Sequence, residues 1–346
     1  MKKLFCIFIS LAIMLLSSCN TNKSNTDKLH GFTHATTIAT TPIKNQGRSP
    51  LCWIYAMLAT IESDRLADGD SVNLSADYLA RMYLADEAIK SHFRGKSPNL
   101  RGMMTMTPRL MERYGCMPYD SYHAYKPVNY SALCRKVGNL ASMRILLADY
   151  CDKLSNLLDV EIGYLPTHVY MLGAEYTPRE FAHSVYQPSE WVALTSFTHH
   201  PYGESFCLET PDNVMNDTFL NVPLDSMMTY IERSLNCGRP VCWEGDISEN
   251  GFDAKQGIAK LENEDVAVDA HKRQKAFETR QTTDDHCMAL VGMAKGKDGN
   301  TYFLAKNSWG NTGKKHGFII MSKKYMMMKT IAVVLRRQMV GSAVSR

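Results

Sequence analysis

The sequence lacks the features that assign a chain to several broad classes of protein. No two cysteines are separated by only two residues, so the CxxC pairs typical of structural zinc sites are absent. No internal repeat is evident, which argues against a solenoid or a propeller. The net charge is only +4 and the basic residues form no stripe, so we expect no nucleic-acid partner. We expect neither a metal nor an organic cofactor.

The composition is that of an ordinary globular protein. The 346 residues are 45% hydrophobic and 21% charged, and a chain of this length can bury one large core or two packed lobes. Ten cysteines are present, but their wide and irregular spacing does not form a disulfide framework. Which of them pair, if any, stays open from the sequence.

The first residues have the pattern of an exported protein. Lys2 and Lys3 precede a short apolar run, Leu4–Leu16, and we interpret residues 1–18 as a signal peptide. Leu16-Ser17-Ser18-Cys19 resembles the bacterial lipobox, which implies cleavage before Cys19 and a lipid on its sulfur. The alternative is an ordinary cleaved signal with Cys19 as a bystander. Residues 19–41 are polar and predict a flexible tether, so we expect a lipid-anchored protein of the bacterial cell envelope.

A buried helix around Cys52 is the strongest local signal. Residues 51–61 are apolar almost all the way round, which is typical of a helix that is covered on every side. Ser49 is a plausible N-cap and Pro50 a plausible first helical residue, so Cys52 would lie in the first turn. The helix dipole there favours a thiolate, which is the nucleophilic form of cysteine. The alternative is a buried structural cysteine.

The rest of the chain predicts an α+β protein with a mainly helical part followed by a β-rich part. We place the helical lobe at about residues 42–160 and the β-rich lobe at about 161–346. Helices are predicted at Ser75–Ala88, Pro108–Tyr114, Ser131–Leu158, Leu224–Leu235 and Ala270–Arg280. Strands are predicted at Val169–Leu172, Trp191–Ser196, Arg239–Gly245, Cys287–Met293 and Thr301–Lys306, with an exposed polar segment at Asp246–Asp269.

A hairpin late in the chain predicts a contact between His286 and Asn307. An Asp-Gly turn joins its two strands, and if Met293 pairs near Thr301, His286 lies opposite Asn307 or its neighbour. An amide oxygen can accept the imidazole N–H and fix the orientation of the ring. With Cys52, these residues make up a nucleophile, a base and a group that orients the base.

Gln46, six residues before Cys52, completes a set suited to acyl transfer. Its side-chain amide and the backbone N–H of Cys52 are donors that could stabilise the oxyanion of a tetrahedral intermediate. The alternative is a solvated loop glutamine.

These residues resemble the papain superfamily of cysteine peptidases, and more closely its bleomycin hydrolase and aminopeptidase C branch. The matching motifs are Gln46-Gly47, Cys52-Trp53, Asp285-His286 and Asn307-Ser308-Trp309-Gly310. The resemblance implies two lobes, one helical and one of antiparallel β structure, with the active cleft between them. It also implies roles for Cys52, His286 and Asn307 in catalysis, Gln46 in the oxyanion hole, Trp309 in shielding the histidine–asparagine contact, and Asp285 in support.

The resemblance predicts a cysteine aminopeptidase that hydrolyses peptides through an acyl-enzyme. The alternatives are an endopeptidase with an open cleft and a peptide-binding lipoprotein without turnover. In the branch the C-terminal tail enters the cleft, and Gln338–Arg346 extends past the last predicted strand here. The chain is shorter than typical bleomycin hydrolases, which argues against their hexameric assembly and leaves another homo-oligomer open.

Overall fold

The computed structural model describes residues 28–29, 31–171 and 173–341. The predicted signal peptide, Cys19 and residues 20–27 of the predicted tether lie outside the described residues, as do the last five residues of the C-terminal tail. The prediction of a flexible tether is wrong for Thr33–Thr37, which form a strand paired with the sheet. Within the described ranges, none of the helices combines the length and the apolar character needed to cross a membrane.

The first half of the chain is helical. Ser75 caps the second helix, because its hydroxyl accepts the backbone N–H of Tyr78 at 3.0 Å. Gly115 ends the third helix with a positive φ of +83°, which favours glycine, and a Cβ there would lie 2.1 Å from the backbone of Pro178. The helices are α1 (Cys52–Ala67), α2 (Ala76–Arg94), α3 (Met106–Tyr114), α4 (Tyr130–Ala141) and α5 (Leu147–Glu161).

The single helix predicted at Ser131–Leu158 is wrong, because the structure has two helices there. The chain leaves the helix at Ser142 and re-enters it at Leu147, and the residues between them are mostly exposed. With no apolar face to bury, this stretch gains nothing from continuing the helix. The break lets the buried faces of α4 and α5 both pack against α2.

The second half of the chain supplies most of the strands. Shorter helices lie between them: α6 (Pro178–Val185), α7 (Leu224–Asn236), α8 (Ala270–Glu278) and α9 (Lys323–Lys329). The strands up to residue 221 are β1 (Thr33–Thr37), β2 (Val169–Met171), β3 (Ala174–Tyr176), β4 (Trp191–Thr195), β5 (Ser205–Cys207) and β6 (Thr218–Asn221). The later ones are β7 (Val241–Gly245), β8 (Phe252–Asp253), β9 (Ile258–Ala259), β10 (His286–Lys295), β11 (Thr301–Lys306), β12 (Phe318–Ser322) and β13 (Thr330–Arg336).

One large sheet organises this half. In the described part of the chain its order is β5-β6-β4-β13-β7-β10-β11-β12-β9-β8, and β1 adds to the far end of β10. Strand β10 is therefore central: it pairs with β7 on one side, with β11 on the other, and with β1 beyond the end of β7. All of its residues except Lys295 are buried.

Helix α1 lies between the helical part and the sheet. One cluster of buried apolar residues joins α1 to the other N-terminal helices, and a second fills the space around β10, β11 and α7. Because α1 packs directly on β10, the start of the helix comes next to the start of that strand. This packing brings the first residue of α1, Cys52, beside the first residues of β10.

The exposed polar segment predicted at Asp246–Asp269 is wrong in part. It contains the short strands β8 and β9, and β9 extends the sheet by pairing in parallel with β12. Asp246 itself is buried, where its carboxylate accepts the backbone N–H of Ser248 at 2.8 Å. A carboxylate can be buried when its oxygens are hydrogen-bonded in this way. The polarity of the sequence alone does not show which carboxylates have such partners.

Candidate active site

Helix α1 begins at Cys52, two residues later than predicted. The cap residue is Leu51, with no capping side chain, so Ser49 as the N-cap and Pro50 as the first helical residue are both wrong. The Ser49 hydroxyl instead donates to the carbonyl of Gln46 at 2.7 Å and closes the turn before the helix. The prediction that Cys52 lies in the first turn agrees with the structure, and its side chain is only half-buried.

The environment of Cys52 favours the thiolate. Hydrogen bonding by the side chain of Cys287 is the largest influence on the pKa of Cys52, and it lowers that pKa. Burial acts in the opposite direction, and His286 lowers the pKa further by hydrogen bonding and by charge. The net result is a thiol whose pKa lies well below its ordinary value, as nucleophilic cysteines require.

His286 is oriented by Asn307. Its Nε2 lies 2.7 Å from the amide oxygen of Asn307, which also accepts the backbone N–H of Ser308 at 2.7 Å. Because that oxygen already acts as an acceptor, Nε2 of the imidazole donates to it. The other ring nitrogen, Nδ1, is then left to exchange a proton with Cys52.

The strand register that suggested this contact is wrong by two residues. Met293 pairs with Phe303 rather than Thr301, and a bulge follows between Leu290 and Gly292. Past this bulge the offset is only one residue, because Ala289 pairs with Lys306 where the predicted register has Ala305, and His286 meets Asn307 just beyond that last pair.

Trp309 covers the histidine. The two rings lie 4.7 Å apart between their centroids and are tilted by 35°, and Trp309 also makes an edge contact with Phe252. A backbone bridge between Trp309 and Asn45 joins this loop to the segment that precedes α1. The tryptophan thus lies against the imidazole, where it restricts the access of water to the ring.

Gln46 lies in the same network, and its side-chain hydrogen bonds join it to Ser308 and Ser49. Its side-chain oxygen accepts the hydroxyl of Ser308, and its Nε2 donates to the carbonyl of Ser49 at 2.7 Å. An amide nitrogen carries two protons, so one remains for a further acceptor. The side chain is buried and fixed, unlike that of a solvated loop residue.

Asp285 is exposed, and its contacts lie with Thr283 and Asp246. Its carboxylate accepts the hydroxyl of Thr283 at 2.8 Å and lies against the carboxylate of Asp246. Burial of its oxygens, together with the charge of Asp246, raises the pKa of Asp285. Among the contacts of the described residues, it therefore supports the loop before β10 rather than the imidazole.

Two residues at the site were missed by sequence reasoning. Cys287, the neighbour of His286, is buried and contacts Cys52, although no pattern in the sequence distinguished it from the other cysteines. Glu244 lies opposite Cys287 across β7 and β10. Burial raises the pKa of Glu244 well above its ordinary range, and its carboxyl group accepts the backbone N–H of Met104 at 3.2 Å. The only available signal for Cys287 was its position next to a candidate base.

Comparisons with known proteins agree with this arrangement. A model of the Peptidase C1-like family matches residues 167–346. Aminopeptidase G of Lactobacillus delbrueckii subsp. lactis is 23% identical over 88% of this chain and 83% of its own length. Aminopeptidase C of Streptococcus thermophilus is 22% identical over 93% of this chain and 86% of its own. A crystal structure of pepw from Lactobacillus rhamnosis HN001 (DR20) superposes with a TM-score of 0.68, at 17% identity, over 94% of this chain and 86% of that one.

Proposed function

Because the chain belongs to the Peptidase C1-like family, we propose that it is a cysteine peptidase that removes residues from the amino end of peptides. The observation that carries the proposal is the meeting of three groups from distant parts of the sequence. Cys52, at the start of α1, faces His286, whose far nitrogen is held by Asn307. A thiolate, a proton carrier and an orienting amide are the groups that acyl transfer through a thioester needs.

The first half of the reaction forms the acyl-enzyme. The Cys52 thiolate attacks the carbonyl carbon of the scissile peptide bond, and the oxyanion that forms is held by the backbone N–H of Cys52 and the free Nε2 proton of Gln46. Collapse of this intermediate breaks the carbon–nitrogen bond. His286 gives its proton to the leaving amine, so the amine departs neutral and a thioester remains on Cys52.

The second half restores the enzyme. His286, now without its proton, takes one from a water molecule as that water attacks the thioester carbonyl. The new tetrahedral intermediate expels the sulfur as a thiolate, and the acyl group leaves as a carboxylic acid. Throughout, Asn307 keeps Nε2 of the ring as the protonated nitrogen, so that Nδ1 carries out both transfers.

The aminopeptidase specificity is supported by the names of the relatives. Two of them are described as aminopeptidase G and aminopeptidase C, and each aligns with more than four-fifths of both chains. We therefore propose a free α-amino group as a requirement for good substrates.

A matched pair of peptides tests activity and specificity together. The purified protein is given one peptide with a free amino end and the same peptide with an N-acetyl group, and the products are identified by mass. We expect the release of single residues from the free peptide and little cleavage of the acetylated one. Equal cleavage of both would favour an open-cleft endopeptidase, and tight binding without any product would favour a non-catalytic peptide-binding protein. Cys52→Ala should abolish the products, and an active variant would exclude Cys52 as the nucleophile.

We further propose that the protein is anchored in the cell envelope through a lipid on Cys19. The support is the charged and apolar start of the sequence followed by Leu16-Ser17-Ser18-Cys19. The test is to express the full chain in a bacterium and measure the mass of its mature N-terminal peptide. We expect a diacylglycerol-modified Cys19 that partitions with membranes, whereas Cys19→Ala should release the protein. An unmodified cysteine at this position would contradict the proposal.

A further inference from the structure

A second group of chemically active side chains lies outside the candidate active site, at the edge of the sheet. His199 and His200 follow the end of β4, and Glu209 follows the end of β5. One nitrogen from each imidazole and one carboxylate oxygen all lie within 4.8 Å of one another. Nε2 of His199 is 3.1 Å from Oε2 of Glu209, and Nε2 of His200 is 2.7 Å from Oε1.

These distances suit a metal ion held by three protein ligands. Nitrogen and oxygen ligands lie about 2.0–2.2 Å from a tetrahedral Zn²⁺, which places neighbouring ligand atoms roughly 3.3 Å apart. The observed nitrogen-to-oxygen separations of 3.1 Å and 2.7 Å need to increase by about 0.2 Å and about 0.6 Å to reach that spacing. Two imidazoles and one carboxylate are also a ligand set that zinc accepts, with water in the fourth position.

The histidine rings are held in place by their surroundings. Nδ1 of His199 lies against the buried side-chain amide of Gln274, 3.0 Å from its nitrogen and 3.3 Å from its oxygen, and that oxygen also accepts the backbone N–H of Thr198 at 2.7 Å. An ion on Nε2 of His199 would leave Nδ1 protonated, as a donor to the Gln274 oxygen. The ring of His200 stacks on Phe206 with 4.0 Å between centroids. A partner on the far nitrogen that fixes the tautomer and the ring orientation is a usual feature of metal-binding histidines.

We propose that His199, His200 and Glu209 bind one Zn²⁺ ion, with solvent completing its coordination. The side chains remain between one-quarter and about one-half exposed, so an ion and a water molecule can reach them. Imidazole nitrogens favour zinc and similar transition metals over Mg²⁺ and Ca²⁺, which prefer oxygen ligands.

The bound ion would join segments that lead into the active site. It would hold the loop after β4 to the loop after β5, and through Gln274 it would also engage α8. The second loop continues to Asp212, whose backbone N–H donates to the carboxylate of Asp284 at 3.2 Å, two residues before His286. We therefore expect zinc to raise the melting temperature of the protein.

The test is metal titration of the full chain carrying Cys52→Ala, so that the reactive thiol does not compete for the ion. The protein is stripped with a chelator, and Zn²⁺ binding is followed by calorimetry. Co²⁺ is then used as a probe, because its visible absorption reports the ligand geometry. We expect one Zn²⁺ per chain and a Co²⁺ spectrum of low coordination number. His200→Ala and Glu209→Gln should each abolish this uptake, and Gln274→Ala should weaken it by about 10–100-fold.

The matched control is His183→Ala, an exposed histidine on α6 that should leave zinc uptake unchanged. Glu209→Gln retains the size of the side chain but removes its charge and one acceptor oxygen, and its fold can be verified by circular dichroism before titration. No stoichiometric uptake by the parent would overturn the proposal. So would uptake that both His200→Ala and Glu209→Gln retain, because the metal would then be bound elsewhere, for example by an exposed cysteine.

Discussion

Nε2 of His286 lies 2.7 Å from the amide oxygen of Asn307. The same oxygen accepts the backbone N–H of Ser308, so the asparagine side chain cannot rotate without losing two hydrogen bonds. This contact fixes which imidazole nitrogen faces Cys52. It links the strand that carries the base to the loop that follows β11.

Asn307→Ala should lower kcat/KM by about 10²-fold, because the imidazole would lose the partner that sets its tautomer and orientation. The measurement is steady-state hydrolysis of a peptide with a free amino end. Asn300→Ala is the matched control. Asn300 lies in the exposed turn between β10 and β11, where its side-chain amide donates to the neighbouring Asp298. A loss of less than about threefold in the Asn307 variant would show that the ring is held by Trp309 and the backbone alone.

Cys287→Ala should raise the pKa of Cys52. The hydrogen bond from Cys287 is the largest of the influences that lower this pKa, and burial of Cys52 raises it. Without Cys287, the effect of burial is less fully offset and the pKa rises. The thiolate would then form at a higher pH, and the acidic limb of the plot of activity against pH should shift to higher pH. The rate of alkylation of Cys52 by iodoacetamide, measured against pH, reports the same pKa directly.

Cys116→Ala provides the control for this shift, because Cys116 is also fully buried but lies at the end of α3 in the helical part. Its loss should leave the alkylation profile of Cys52 unchanged. If the acidic limb of the Cys287 variant stays in place or moves to lower pH, Cys287 does not lower the pKa of Cys52.

How far the sequence predicts this site depends on how local each signal is. The apolar helix around Cys52 and the hairpin after His286 follow from side-chain periodicity and an Asp-Gly turn, and both are present. The contact between His286 and Asn307 was predicted from a register that is two residues out at Met293, and it is present because the bulge in β10 reduces that offset to one residue at Ala289.

The features that the sequence did not predict arise from packing between distant elements. Cys287 reaches Cys52 only because α1 lies on β10, and Glu244 lies opposite Cys287 only because β7 pairs with β10. The His199–His200–Glu209 cluster likewise depends on which strands form the edge of the sheet. Residues that meet only through the packing of distant elements leave no pattern of spacing in the sequence.

Gln46→Ala should reduce kcat by about 10²–10³-fold while KM changes little, because an oxyanion donor acts mainly in the transition state. The measurement is full Michaelis–Menten kinetics with a single peptide. Gln187→Ala, in an exposed turn after α6, is the control. A change in KM with kcat intact would instead assign Gln46 to ground-state binding of the substrate.

Glu244→Gln should stabilise the protein at alkaline pH and leave it unchanged near pH 4. Burial is the main reason that the pKa of Glu244 is raised, and the charges of Asp284, Cys52 and Asp212 add to it. An unfolded glutamate has a pKa of about 4.3, so below that pH the side chain is neutral in both states and costs nothing. As the pH rises above it, the unfolded state loses its proton first and the wild-type fold loses stability, at most by about 1.4 kcal/mol per pH unit until the folded pKa is reached.

The glutamine has no proton to lose, so its melting temperature should exceed that of the wild type at pH 8 and match it at pH 4. Thermal unfolding at a series of pH values measures the difference. Glu204→Gln, at an exposed position before β5, should show no such trend. A variant that is less stable than the wild type at pH 8 but equally stable at pH 4 would mean that Glu244 is ionised in the fold and paired with a cation, because a lost charge interaction appears only where the carboxylate is ionised.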